Sequence, residues 1–433
     1  MDLRHIENII KDSESDSAQK KETIISTLQT KCHDDTAIDS GSALQLFLDH
    51  ITINSIPGIR NSSVLELYSE DCLKEAIKLL YEKNVFGAPI TDALEEEPKP
   101  ELEKFLDRYI GFIDFATMVL WSIEERDKLD PEIKHEVCEG INTNGIFSML
   151  EKIPSIGKTK VGELAKSFLW DPFFPVHLND TLFQVLLLLS KHQLQVVPVT
   201  EGSNVIGFVT KIAIVELLLQ SSGLDWFDRI SDKALSEFRL ENDGRLVYVY
   251  GDQTLAEALH CLRENKVDGV PVINRETKTL IGNVRVHDIH LLLDNEKFFR
   301  DRRNITVEEF IQSDTRKSEL TTDSTLTQNL GGLLSAGALR LRNKFMPTMD
   351  SPVTNKKSDT LKQAMKTLVE SKNNCSYLVD ESRHFIGVVS LRDVIMQFAP
   401  PGIDSRIKGG GFFQSALEQS GCHLNNGSIV HDR

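Results

Sequence analysis

Two short strings hold the residues best suited to recognition chemistry. GVVSLRD places Ser390 three residues ahead of Asp393, a hydroxyl and a carboxylate at a helix start. That is the spacing of a near capping box, in which the serine caps the helix and the acid satisfies a backbone amide. GNVRVHD places Arg285 three ahead of Asp288, exchanging the hydroxyl for a guanidinium suited to a phosphate. Two related strings keep less. Counting equally from Gly207 and Gly111, Thr210 retains a hydroxyl in GFVTKIA, but Ala213 and Thr117 stand where the acid would be. His287 and His290 flank Asp288 with no further ligand cluster nearby, so they read as surface or satisfied histidines and no metal site is expected. IPSIGKTKVG has Lys152 in place of the first P-loop glycine, so a phosphate cradle is absent. The strings G-x-G-x-x-G, G-x-S-x-G and H-E-x-x-H and the kinase loop motifs do not occur, and a non-catalytic protein is expected.

The elements that must position these residues recur four times. Leu73, Leu182 and Leu255 precede Pro89, Pro198 and Pro271 by one common interval, and Leu361 reaches Tyr377 at the same distance. After each leucine the apolar residues follow a helical period, as in Leu255, Ala258, Leu259 and Leu262. A β-branched run comes next, then a Gly-containing strand and a second helix. Each unit reads as strand, helix, strand, strand, helix, and is too small to bury both sheet faces alone, so pairing is expected. Pro198 and Pro271 should lie at a sheet edge or a strand start, where a missing amide donor is harmless.

In repetition and strings the chain resembles the cystathionine-β-synthase (CBS) domain family, and four copies resemble the gamma subunits of AMP-activated and sucrose-non-fermenting-related protein kinases, nearest the plant gamma-like group. The resemblance runs from about Ser40 to Ala399. It implies an α/β (α+β) fold of four CBS repeats (β-α-β-β-α), arranged as two Bateman-type pairs in a disc. It also implies adenine nucleotide (AMP, ADP or ATP) in clefts between repeats, with no cofactor required. In such clefts a carboxylate at the second helix accepts from both ribose hydroxyls and a Ser or Thr three residues earlier adds a contact. Ser390 with Asp393 then form the best signature; Asp288 with Arg285, and Thr210, are partial ones. The His-Arg pair that holds phosphates in the kinase subunits is replaced by Gln195-Val196 and Asn374-Cys375. Implied partners are kinase catalytic and beta subunits. The alternatives are a CBS adenosine-ligand sensor and a nucleotide-independent scaffold for another protein.

The chain's 433 residues fit two paired modules, and 40% apolar with 26% charged residues is an ordinary globular balance. A net charge of −16 argues against nucleic acid, and no apolar run approaches a bilayer span or a signal core. A soluble cytoplasmic or nuclear protein is expected. The six cysteines form no C-x-x-C pair, which excludes a zinc motif and a disulfide framework. Expected boundaries are a poorly ordered 1–40, repeats at 41–125, 160–222, 246–295 and 345–399, a linker helix in 223–245 that turns Leu224, Trp226 and Phe227 inward, a linker at 300–344 and a fraying tail at 400–433. An acidic insertion, TDALEEEPKPELEKF, should form a solvent loop within the first repeat.

Overall fold

The computed structural model describes residues 40–56, 59, 64–92, 108–129, 145–165, 173–238 (193 and 203 excepted), 240, 246–313, 339–342, 346–399 and two strands near the end. The expectations for 1–39, for the acidic insertion and for much of the tail lie outside these residues. Four three-stranded sheets follow one plan, a short strand parallel to a central strand that is antiparallel to a third. They comprise β1 (Leu67–Tyr68), β2 (Gly87–Thr91) and β3 (Tyr109–Asp114); β4 (Val176–His177), β5 (Val196–Glu201) and β6 (Asn204–Thr210); β7 (Val249–Tyr250), β8 (Gly269–Ile273) and β9 (Leu280–Arg285); and β10 (Thr354–Asn355), β11 (Cys375–Val379) and β12 (Phe385–Ser390). In the tail, β13 (Cys422–Asn425) pairs antiparallel with β14 (Ser428–His431), where fraying was expected.

The helices are α1 (Ser40–Asp49), α2 (Leu73–Lys83), α3 (Phe115–Lys128), α4 (Leu182–Lys191), α5 (Lys211–Leu219), α6 (Asp225–Ser231), α7 (Leu255–Asn265), α8 (Leu361–Ser371) and α9 (Leu391–Phe398), with shorter turns between. The recurrent Asp-x-Leu has a local cause. The carboxylates of Asp71, Asp180 and Asp359 accept the amides of Tyr68, His177 and Lys356, and Gln253 does the same for Tyr250. That turn joins the short strand to the first helix. Thr254 and Thr360 then cap α7 and α8, with Glu257 and Gln363 answering the threonine amides. Such caps are worth about 1 kcal/mol each.

Pro89, Pro198 and Pro271 lie in the central strands, not at edges. The parallel strand explains how this is tolerated. Its pairing begins one residue after each proline, at Ile90, Val199 and Val272. In the fourth repeat Tyr377 takes the proline's place and its amide donates to Val353 O at 2.9 Å, just ahead of β10. The prolines therefore forgo a donor only where the neighbouring strand has not begun.

Sheets and helices join different partners. Phe112 meets Phe208 edge-on at 5.6 Å, and Tyr109 Oη accepts from the Val205 amide, so the first two sheets adjoin. The third and fourth adjoin through the Leu280 amide on Arg383 O and through Tyr377 and Phe385 packed with Ile273 and Leu280. One core joins the helices of repeats one and three, another those of repeats two and four. The flanking segments are exchanged. Residues 40–56 bond to repeat two, with the Ile53 amide on Asp180 O, whereas Leu73 and Val161 stitch residues 159–165 to repeat one. The second half repeats the exchange: Leu361 bonds to Lys233 after α6, and Leu255 to Ile305. The boundaries 41–125 and 160–222 thus follow chain order rather than packing. Trp226 and Phe227 of α6 are buried and Leu224 partly so, with Phe227 stacked on Phe398.

Candidate functional site

Each repeat delivers the cap of its second helix from the end of its third strand, so Asp114, Thr210, Arg285 and Ser390 hold equivalent positions. At Ser390 the capping box is complete. Ser390 donates through its amide and hydroxyl to Asp393 Oδ2 at 2.8 and 2.6 Å, and Asp393 N donates to Ser390 Oγ. Thr210 Oγ1 accepts the Ala213 amide at 3.3 Å.

At Arg285 the guanidinium turns inward. Its Nε and Nη2 donate to the two oxygens of Asp288 at 2.9 and 3.1 Å, its amide adds a third bond, and Pro347 O and Asn373 Oδ1 accept the remainder. Arg285 is 4% exposed and Asp288 fully buried. This arginine, which the sequence suggested for a phosphate, is spent on an internal ion pair. The second helix of repeat three opens as a 3-10 turn, Val286–His290, over this pair.

Asp114 is the residue that sequence reasoning passed over. The first repeat carries the acid and the hydroxyl in reversed order: Thr117 donates through its amide and hydroxyl to Asp114 at 2.7 and 2.6 Å. The pair is the mirror of Ser390 and Asp393. A search for the acid at one fixed offset missed it; a search for any acid–hydroxyl pair at that spacing in GFIDFAT would have found it. Burial pushes the Asp114 carboxyl above the ordinary carboxylate range, the Thr117 hydroxyl and amide pull it back, and the charge of Asp268 pushes it up again.

These elements surround a cavity of about 750 Å³ whose wall draws on all four repeats. Asp114 and Thr117 come from the first, Gln195 and Lys211 from the second, Asp268 from the third, and Ser390 with Arg392 from the fourth. Of the five residues singled out in the sequence, Ser390 lines this cavity, while Asp393, Arg285, Asp288 and Thr210 sit off its lining. On its wall Gln195 Nε2 donates to Asp268 Oδ1 at 3.1 Å, and Lys211 Nζ lies 3.7 Å from Asp268 Oδ2. Cys375 lies beside them with its thiol pushed up to about 12 by burial, so it is neutral. His287 stacks on Phe86 at 4.4 Å, and burial lowers it to about 4; His290 Nδ1 meets His287 O. Both rings are uncharged at neutral pH.

Residues 161–220, 243–294 and 349–399 match the CBS domain family. These three stretches are CBS domains, and the first of the four units shares their strand and helix order. It is similar to the SNF1-related protein kinase regulatory subunit gamma-1 of Arabidopsis thaliana, 25% identical over 81% of this chain and 82% of that one. A gamma-1-like regulatory subunit of the same plant is 24% identical over 81% and 86%. Among solved structures, a Methanocaldococcus jannaschii protein described as an archaeal homologue of g-AMPK aligns with TM-score 0.50 and 13% identity, over 81% of this chain and all of that one, which establishes a shared architecture. Among the described residues no helix is long and apolar enough to cross a membrane.

Proposed function

We propose that the protein is a non-catalytic, gamma-type regulatory subunit of a SNF1-related or AMP-activated-type protein kinase, working in the cytoplasm or nucleus with kinase catalytic and beta subunits. The observation that carries this reading is similarity to regulatory gamma subunits along four fifths of both chains. The fold supports it. All four repeats contribute to the wall of the cavity, so a ligand there can bias how the outer helices meet a partner. An adenine nucleotide suits the hydroxyls and carboxylates of the wall, with Asp114 and Thr117 as the sugar-facing pair and Ser390, held from behind by Asp393, as a further sugar contact.

Co-purification with a SNF1-related kinase catalytic subunit at low salt tests the assembly; failure to co-purify would refute it. Calorimetry with AMP, ADP and ATP tests the ligand. Asp393→Ala should weaken AMP by about tenfold or more, consistent with losing charge-assisted hydrogen bonds. Unchanged affinity would remove Asp393 from the site.

A second reading, a nucleotide-independent scaffold, is favoured by one observation: Arg285 and Asp288 satisfy each other. Silent titrations together with intact co-purification would establish it.

A further inference from the structure

We infer that Asp268 is a specificity-determining residue: a built-in anion that faces Lys211 in the cavity shared by the four repeats and that a phosphate-bearing ligand must displace to reach that lysine. The inference rests on the reading that the cavity takes such a ligand.

Asp268 leaves the third repeat immediately before β8 and reaches across to the second, where Gln195 donates to one oxygen and Lys211 faces the other. Lys211 comes from the first turn of α5, and its side chain is only 11% exposed. A lysine so shielded needs a counter-charge, and Asp268 supplies it. The two remain 3.7 Å apart, beyond ordinary hydrogen-bond length, so their attraction is coulombic and the lysine is not geometrically locked.

An arriving phosphate would find Lys211, Arg263, Lys266 and Arg392 as cations on the wall, opposed by Asp114, Glu124, Glu264 and Asp268. At Lys211 it competes with Asp268 and meets repulsion from that carboxylate and from Asp114. The same contact joins repeat two to repeat three, one from each half of the chain. Displacement would thus release one polar tie between the two halves of the molecule and link occupancy to their arrangement.

The test is calorimetry on the full chain with AMP and with inorganic pyrophosphate as probes, for wild type, Asp268→Asn, and Asp268→Asn with Lys211→Met. Asparagine keeps an acceptor for Gln195 and removes only the charge. Both probes should bind Asp268→Asn about tenfold more tightly or better, and the added Lys211→Met should abolish the gain. A gain for AMP alone also supports displacement and assigns the nucleoside as a required part of the ligand. If wild type and Asp268→Asn bind AMP equally, the nucleotide reading stands and Asp268 has no such role. If neither chain binds either probe, both readings fall together. Gln195→Ala, which frees one oxygen of Asp268 without touching the charges, offers an independent check should Asp268→Asn unfold: a smaller gain in the same direction is expected, and no gain overturns the inference.

Discussion

Arg285 and Asp288 show how one substitution at a cap changes a residue's task. With its carboxylate partner fully buried, the guanidinium is held by geometry as much as by charge. Arg285→Ala should cost about 3–5 kcal/mol in urea unfolding, because it strands a buried carboxylate. Replacing both by Met and Leu should recover most of that loss, since neither desolvated charge remains. His287 provides a pH signature. Its folded value near 4 lies below the ordinary 6.5, burial being the main cause and Asp288 partly opposing it. The unfolded chain therefore takes up the proton first. The contribution of the neutral ring is full above about pH 6.5, is lost as the pH falls toward 4, and reaches about 3 kcal/mol. His290 shifts in the same direction. His287→Phe should flatten the stability profile between pH 4 and 6.5 without abolishing its slope; an unaltered profile would show that His287 does not titrate in this range.

Among the elements, the fourth central strand stands apart. Tyr377 replaces the proline of its counterparts, fills the seam between the last two sheets, and its hydroxyl lies 2.8 Å from where a Cβ on Gly269 would sit. Only glycine fits there. That hydroxyl meets the polar side chains of Asn283 and Cys375, and burial pushes it well above the ordinary tyrosine range. Tyr377→Phe should leave the fold intact and lower its stability by about 1 kcal/mol, measured by thermal or urea unfolding, because Asn283 loses its buried partner. The four strand–helix units were legible in the sequence because the helical period survives in every copy and the leucine-to-proline interval in three, with Tyr377 at the same distance in the fourth. The position of the prolines was not, since it depends on where a two-residue neighbour begins pairing. Lys211 and Asp268 were equally invisible, because packing and not sequence spacing brings them together. Asp114 was within reach and was missed by the choice of offset.

At the scale of the whole molecule, the sheets bind repeat one to two and three to four, whereas the helices bind one to three and two to four. Neither half can close its apolar surface by itself. Leu218 and Phe398, for example, are buried in a core that draws on both halves. Residues 1–222 expressed alone should aggregate or self-associate, and co-expression with 223–433 should yield a soluble pair that elutes near the intact chain. A monomeric, cooperatively unfolding first half would contradict this. The expected pairing into two modules captured the sheet contacts. The helix contacts, which join the two halves, had no local signature in the chain.

The exchanged flanking segments bear on how the protein is made. Strands and helices from 67 to 128 leave the ribosome before 145–165, the stretch that completes them, and α1 must wait for 182–219. In each half, then, one module waits for a stretch beyond its own second helix, and the segment that opens the half waits for the other module near its end. Nascent chains would then hold open apolar faces for an extended interval and depend on chaperone cover during that time.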